Sequence, residues 1–252
     1  MRPGSSQAAG STRVHLYGAS NLWLSRRAAL AAVRRRFEGP LEIGLACGPG
    51  RSYGLRAGNP LVTYRPLRAV EFPHPPQLAI LSDAGNDIAY SQRPDTTAGW
   101  VAELAARLES QGSEIVLTGL PLRSLQGLPD WLFWLLKNLY YAHLKATKLE
   151  LLQRLADLDG ALQKLAEERG YLFLPVDPSW YGLDRFHLHS ARYYDCWECW
   201  MERLRPDLGF QGEPTWCALW SLKPAVYWYR GRESQAAGEY DGVLRQTKLW
   251  VR

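Results

Sequence analysis

Short, nearly unbroken apolar runs alternate with longer amphipathic stretches along most of the chain. Val14-His15-Leu16-Tyr17 reads as a strand ending at Gly18, and Leu41 to Cys47 as a second, closed by Gly48-Pro49-Gly50. Leu78 to Ser82, Glu114 to Thr118, and Tyr171 to Val176 read as three more. Between them, Leu22 to Phe37 reads as a helix with a basic outer face (Arg26, Arg27, Arg34, Arg35, Arg36). Asp95 to Glu109 reads as another, capped by Asp95 or Thr96, and Pro129 to Glu168 as a long helical region broken near 142–147. Continuous apolar strands separated by helices predict an α/β fold, a parallel sheet covered on both faces.

The pattern changes after residue 205. Strand-like alternation with Gly and Asp turns carries Trp216, Trp220, Tyr227, Trp228, Tyr229 and Trp250. Residues 206–252 are therefore expected to be a β-rich, aromatic extension packed on a main domain at 13–205. Residues 1–12, rich in Gly, Ser and Ala, are expected to be a flexible tail.

Composition narrows the class. Apolar residues at 46% and charged residues at 22% exclude a disordered or fibrous chain. A net charge of +5 is too small to argue for nucleic acid. The longest strongly apolar run, Trp131 to Leu136, is far short of a membrane span, and no secretory signal is visible. The expectation is a soluble, cytoplasmic chain. Four cysteines are too few for a disulfide framework.

In a parallel sheet, ligands bind beyond the carboxyl ends of the strands. Those positions hold Gly18-Ala19-Ser20-Asn21, Gly48-Pro49-Gly50-Arg51-Ser52, Gly85-Asn86-Asp87 and, after the fifth strand, Asp184-Arg185-Phe186-His187. Ser20, on a turn opening a helix, can present a hydroxyl nucleophile. His187 can take its proton, and Asp184 can accept from the other ring nitrogen. The N–H groups of Ser20 and Gly50 and the Asn86 amide can donate to an oxyanion.

With these blocks the sequence resembles the SGNH (GDSL-type) hydrolase family over about residues 13–203. The family's Gly-Asp-Ser corresponds to Gly18-Ala19-Ser20, and its second-block glycine to Gly50, with Gly48 the alternative. Its Gly-x-Asn-Asp corresponds to Ala84-Gly85-Asn86-Asp87 and its Asp-x-x-His to Asp184-Arg185-Phe186-His187. The resemblance implies a flavodoxin-like three-layer α/β/α fold around a five-stranded parallel sheet. It implies hydrolysis of a small-molecule ester, such as a short acyl ester or an O-acetyl carbohydrate, through an acyl-serine, with no metal or other cofactor. Ala19 and Ala84 depart from the family pattern. The second functional class is a catalytically silent domain of the same fold that binds a glycan or other small ligand.

Other patterns compete for the same residues. Gly50-Arg51-Ser52-Tyr53-Gly54 also fits a Gly-x-Ser-x-Gly nucleophile elbow, though Gly54, Gly58 and Pro60 oppose the helix that motif needs. Cys196 and Cys199, with Cys217 and His189, have the residue types of a zinc site. His189 is the rival base, and Asp177 and Asp195 are the rival orienting acids. The run Trp131 to Leu136 reads as a buried helix, or as a lid or acyl pocket beside the site. Leu151, Leu155, Leu158, Leu162 and Leu165 form a stripe that is either core or, within 147–169, a seam between copies of the chain.

Overall fold

The computed structural model describes residues 11–59, 62–140, 144–207, 226–229, 232–235, 239–240 and 247–252. Strand β1 (Thr12–Tyr17) leads through helix α1 (Ser20–Arg36) to β2 (Leu41–Ala46) and a small hairpin, β3 (Ala57–Asn59) and β4 (Val62–Tyr64). Then come β5 (Leu78–Leu81), α2 (Gly85–Ala89), α3 (Pro94–Ser110) and β6 (Glu114–Thr118). Helices α4 (Leu122–Gln126), α5 (Asp130–Tyr140) and α6 (Lys148–Arg169) precede β7 (Leu172–Leu174) and α7 (Tyr193–Leu204). The C-terminal strands are β8 (Val226–Tyr229), β9 (Arg232–Gln235), β10 (Glu239–Tyr240) and β11 (Thr247–Val251).

All five expected strands lie in one sheet, which among the described residues has seven, in the order β10-β11-β2-β1-β5-β6-β7. The expected count of five missed β11, which pairs parallel to β2 with Thr247 opposite Leu41, and the antiparallel β10. A strand 200 residues away in sequence carries no local sign of where it will pair. Thr12, expected in the tail, opens β1 opposite Leu41. Most of that tail, residues 1–10, lies outside the described residues, as do Trp216, Trp220 and Cys217.

The sheet is buried on both faces because successive residues face opposite layers. Val14, Leu16, Ile43, Leu45 and Ile80 pack with α1 and α7. Tyr17, Ala79, Leu81, Ile115 and Leu117 pack with α3 and α6. Leu151, Leu155, Leu158 and Leu162 are buried in this second layer, so the stripe on α6 belongs to the chain's own core and not to an outer seam. Nor is the basic stripe of α1 a solvated face. Arg35 forms an ion pair with Glu198 of α7, and Arg36 is buried with its Nε donating to the Met201 carbonyl.

Pro94 takes the first helical position of α3 and moves its cap back to Arg93, ahead of the expected Asp95 or Thr96. The long helical region does break: α6 restarts at a capping box in which Thr147 accepts from the Glu150 N–H and Glu150 accepts from the Thr147 N–H. Among the described residues no helix is long and apolar enough to cross a membrane.

The arrangement fixes where a site can form. The chain leaves β1 and adds β2 on one side, then crosses back to add β5 on the other. The carboxyl end of β1 is thus a topological switch point, where an open crevice forms. Ser20 stands there, three residues beyond the last residue of β1.

Candidate active site

The turn from β1 into α1 is tight because Gly18 has no side chain. A Cβ there would stand 2.5 Å from Ser82 Oγ and 2.8 Å from Leu22 Cβ. Ser20 is the first residue of α1, so its own N–H has no partner within the helix. The residue before it, Ala19, caps the helix without a side-chain hydrogen bond.

That cap comes from elsewhere. Asp83, just past β5, directs Oδ2 at the Ala19 N–H (2.8 Å) and the Leu22 N–H (3.0 Å). It adopts a left-handed backbone, φ 61°, a conformation Asp tolerates better than most side chains. Burial pushes its carboxyl above the usual range, against the pull of the Leu22 and Ala19 N–H groups and the Asn21 side chain. No sequence motif pointed to Asp83. Its signal was an unexplained Asp between a strand and a turn, opposite a helix whose cap position holds Ala.

Asn21 also went unassigned. Its Nδ2 donates to the Phe186 carbonyl at 3.2 Å and its Oδ1 accepts from the Leu188 N–H at 2.8 Å. The residue next to Ser20 therefore clamps the backbone on both sides of His187.

Ser20, His187 and Asp184 come together in one series. His187 Nε2 is 3.1 Å from Ser20 Oγ, and His187 Nδ1 is 2.7 Å from Asp184 Oδ2. Asp184 uses its other oxygen to accept from the Phe186 and His187 N–H groups, at 3.1 and 2.9 Å. One carboxylate oxygen shapes the turn while the other holds the ring. Burial opposes the charge on Asp184, but the His187 ring and these N–H groups outweigh it and hold the carboxyl below its usual range.

Asn86, in the first turn of α2, lines the same cavity as Ser20 and His187, and its amide donates to the Arg51 carbonyl at 3.3 Å. Gly50 lies one residue from that carbonyl. Its φ of +70° and its closeness to the Gly58 carbonyl and the Tyr90 hydroxyl (both 2.7 Å from an added Cβ) require glycine. Neither Gly50 nor Gly48 is part of the cavity wall, and an added Cβ on Gly48 would run into the Tyr64 ring at 2.4 Å.

The rivals are placed elsewhere. Ser52 is fully buried, its hydroxyl bonded to Asp87 and accepting from the Gly54 and Leu55 N–H groups at 3.1 and 2.8 Å. No helix follows it. It is a structural turn residue, not an elbow. His189 Nδ1 accepts from the Ala191 N–H at 3.3 Å, as a cap of its own turn. Asp177 caps the next turn through Ser179, and Asp195 pairs with Arg192. Cys196 is a buried free thiol, Cys217 lies outside the described residues, and no cluster of three or more metal-ligating side chains occurs among those described.

No family model matches the sequence, and no curated protein is similar to it. Solved structures are similar in fold. An inhibitor-bound aryl esterase of M. smegmatis superposes over 78% of this chain and 99% of its own, with a TM-score of 0.56 at 15% identity. A GDSL-like lipase of Bacteroides thetaiotaomicron superposes over 78% of this chain and 88% of its own, with a TM-score of 0.51 at 14% identity. The chain has the SGNH-hydrolase fold. On this SGNH fold the four sequence blocks follow β1, β2, β5 and β7, at one edge of the sheet.

Proposed function

We propose that the protein is a serine ester hydrolase acting on a small-molecule carboxylic ester. The observation that carries the proposal is the hydrogen-bonded series from Asp184 through His187 to Ser20, at the mouth of a cavity. Two proteins of similar fold, the aryl esterase and the GDSL-like lipase, bear ester-cleaving names that agree with it.

In the proposed reaction Ser20 Oγ attacks the ester carbonyl carbon as His187 Nε2 takes the hydroxyl proton. Asp184 accepts from Nδ1–H, which fixes the tautomer and stabilises the imidazolium. The carbonyl oxygen becomes an oxyanion that accepts from the Ser20 N–H and the Asn86 amide. The ester C–O bond then breaks, and His187 returns the proton to the leaving alkoxide. Water, deprotonated by His187, attacks the acyl-serine and releases the carboxylic acid and free Ser20. The N–H donors carry the developing charge, so this route calls on no cofactor.

Asp83 supports this chemistry in place of the acid missing at position 19. By capping α1 from β5 it holds the first turn, and with it both Ser20 Oγ and the Ser20 N–H. Ala19 therefore does not by itself argue for the silent, ligand-binding alternative.

The test is turnover of p-nitrophenyl esters by the wild type and by Ser20→Ala. Turnover by wild type that vanishes in a folded Ser20→Ala supports the proposal. A folded wild type that cleaves no ester moves the chain to the silent class.

A further inference from the structure

We infer that the ester cleaved here carries an apolar acyl chain well beyond acetyl, held in a pocket between α2 and the layer of α4, α5 and α6. The inference rests on the hydrolase proposal above.

The cavity opening at Ser20 is lined by residues of α2, α4, α5 and α6. Its two ends differ in chemistry. Ser20, Asn86 and His187 stand at one; Leu120, Leu125, Phe133, Leu136, Leu151 and Leu155 form the wall of the other. Leu125, Phe133 and Leu155 are buried. Such a wall gains free energy only by covering hydrocarbon.

The reacting groups set the direction. The carbonyl oxygen points to the Ser20 N–H and Asn86, and the alcohol must leave on the His187 side, where the proton is returned. That side is partly open: the His187 side chain is 28% exposed and Asp184 26%. The remaining substituent is the acyl chain. Its path runs past Gly85, which borders the cavity between Ser20 and the apolar wall. A Cβ on Gly85 would stand 3.3 Å from Leu155 and 3.6 Å from Leu120, so this glycine joins the two ends.

The leucine wall argues against a sugar in the same space, and several polar groups that line the cavity are already engaged. Asn21 is engaged with Phe186 and Leu188, Asp83 with the first turn of α1, and Asp184 with His187. Lys137 donates to the Ala146 carbonyl at 3.3 Å. Hydroxyls brought against the leucine wall would lose water without gaining partners. Helix α5 contributes Phe133 and Leu136 to that wall while Trp131 and Trp134 face outward. The apolar run that reads in sequence as either buried helix or acyl pocket thus divides between two faces.

The experiment is a chain-length series of p-nitrophenyl esters, acetyl to decanoyl, below their aggregation limits, beside alkyl acetates of matched length. Each methylene that enters the pocket is worth about fourfold in kcat/KM, hence on the order of two hundredfold from acetyl to hexanoyl. Leu136→Trp, which narrows the apolar end of the pocket, is expected to remove that gain with chain length. Calorimetry on Ser20→Ala supplies a readout free of turnover: decanoate binds and acetate does not. Acetyl turned over as well as hexanoyl, or a gain that follows the alcohol instead of the acyl chain, overturns the inference while the hydrolase proposal stands. No turnover together with decanoate binding that Leu136→Trp abolishes sinks the hydrolase proposal and supports the apolar-chain site. Neither turnover nor binding overturns both.

Discussion

Asp83 Oδ2 lies 2.8 Å from the Ala19 N–H, so a carboxylate 64 residues away in sequence caps the helix that begins with Ser20. A cap carried by a residue just past β5 ties Ser20, the proposed nucleophile, to the sheet as well as to its own helix. Asp83→Asn keeps a residue that accepts the left-handed backbone but loses one of the two acceptor oxygens. The expected result is a folded enzyme with kcat lowered about 10- to 100-fold, the range produced by slight misplacement of a reacting group. Steady-state kinetics with circular dichroism checks it.

The same residue has a signature in stability. Burial raises the Asp83 carboxyl in the folded state, so the fold holds this proton more tightly than the unfolded chain does. The cost of its charge is fully present above the folded value and disappears as pH falls to the unfolded value near 3.9. Urea unfolding of wild type and Asp83→Asn between pH 7 and pH 4 is expected to show their difference moving in favour of the wild type as pH falls. A difference independent of pH contradicts the buried-carboxylate account.

Asp184→Asn is expected to lower kcat by about 10²-fold or more with little change in KM. Asn can hold the ring in the wrong tautomer and cannot stabilise the imidazolium. Unchanged kcat at neutral pH removes Asp184 from the proposed series, since its 2.7 Å contact with Nδ1 is the ring's orienting bond.

Asn86→Ala removes a proposed oxyanion donor and is expected to lower kcat about 10²- to 10³-fold while KM stays near its original value. A rise in KM alone would mean that Asn86 binds substrate without serving the transition state.

Much of this architecture was legible in the sequence. Strands β1, β2, β5, β6 and β7 are short apolar runs; Ser20 and Asn86 stand in the turns after β1 and β5, and Asp184 and His187 on the longer loop after β7. What was hidden depends on long-range placement. Arg36 looks like part of a solvated stripe until α7 covers it, and β11 gives no sign that it will lie beside β2. Asp83 and Asn21 act through bonds to backbone atoms, which any sequence possesses, so no pairing of residue types pointed to them. Ser52 was ambiguous for the opposite reason. Its motif fits a nucleophile, and only burial and its bond to Asp87 assign it to structure.

Ser52→Ala is accordingly expected to act on stability. It leaves the buried Asp87 with one partner fewer, at a cost of about 1–3 kcal/mol, and leaves kcat per folded molecule unchanged. Urea unfolding and active-site titration separate the two effects.

The central claim is that Ser20 Oγ becomes covalently bonded during turnover. Incubation with a fluorophosphonate, tryptic digestion and tandem mass spectrometry test it directly, because cleavage after Arg13 and Arg26 leaves a peptide holding Ser20 and Ser25. The expected result is one equivalent of phosphonyl group on Ser20, none on Ser25, and no labelling of His187→Ala. An adduct on Ser52 or any other serine, or an ester-cleaving enzyme that takes no label, contradicts the account.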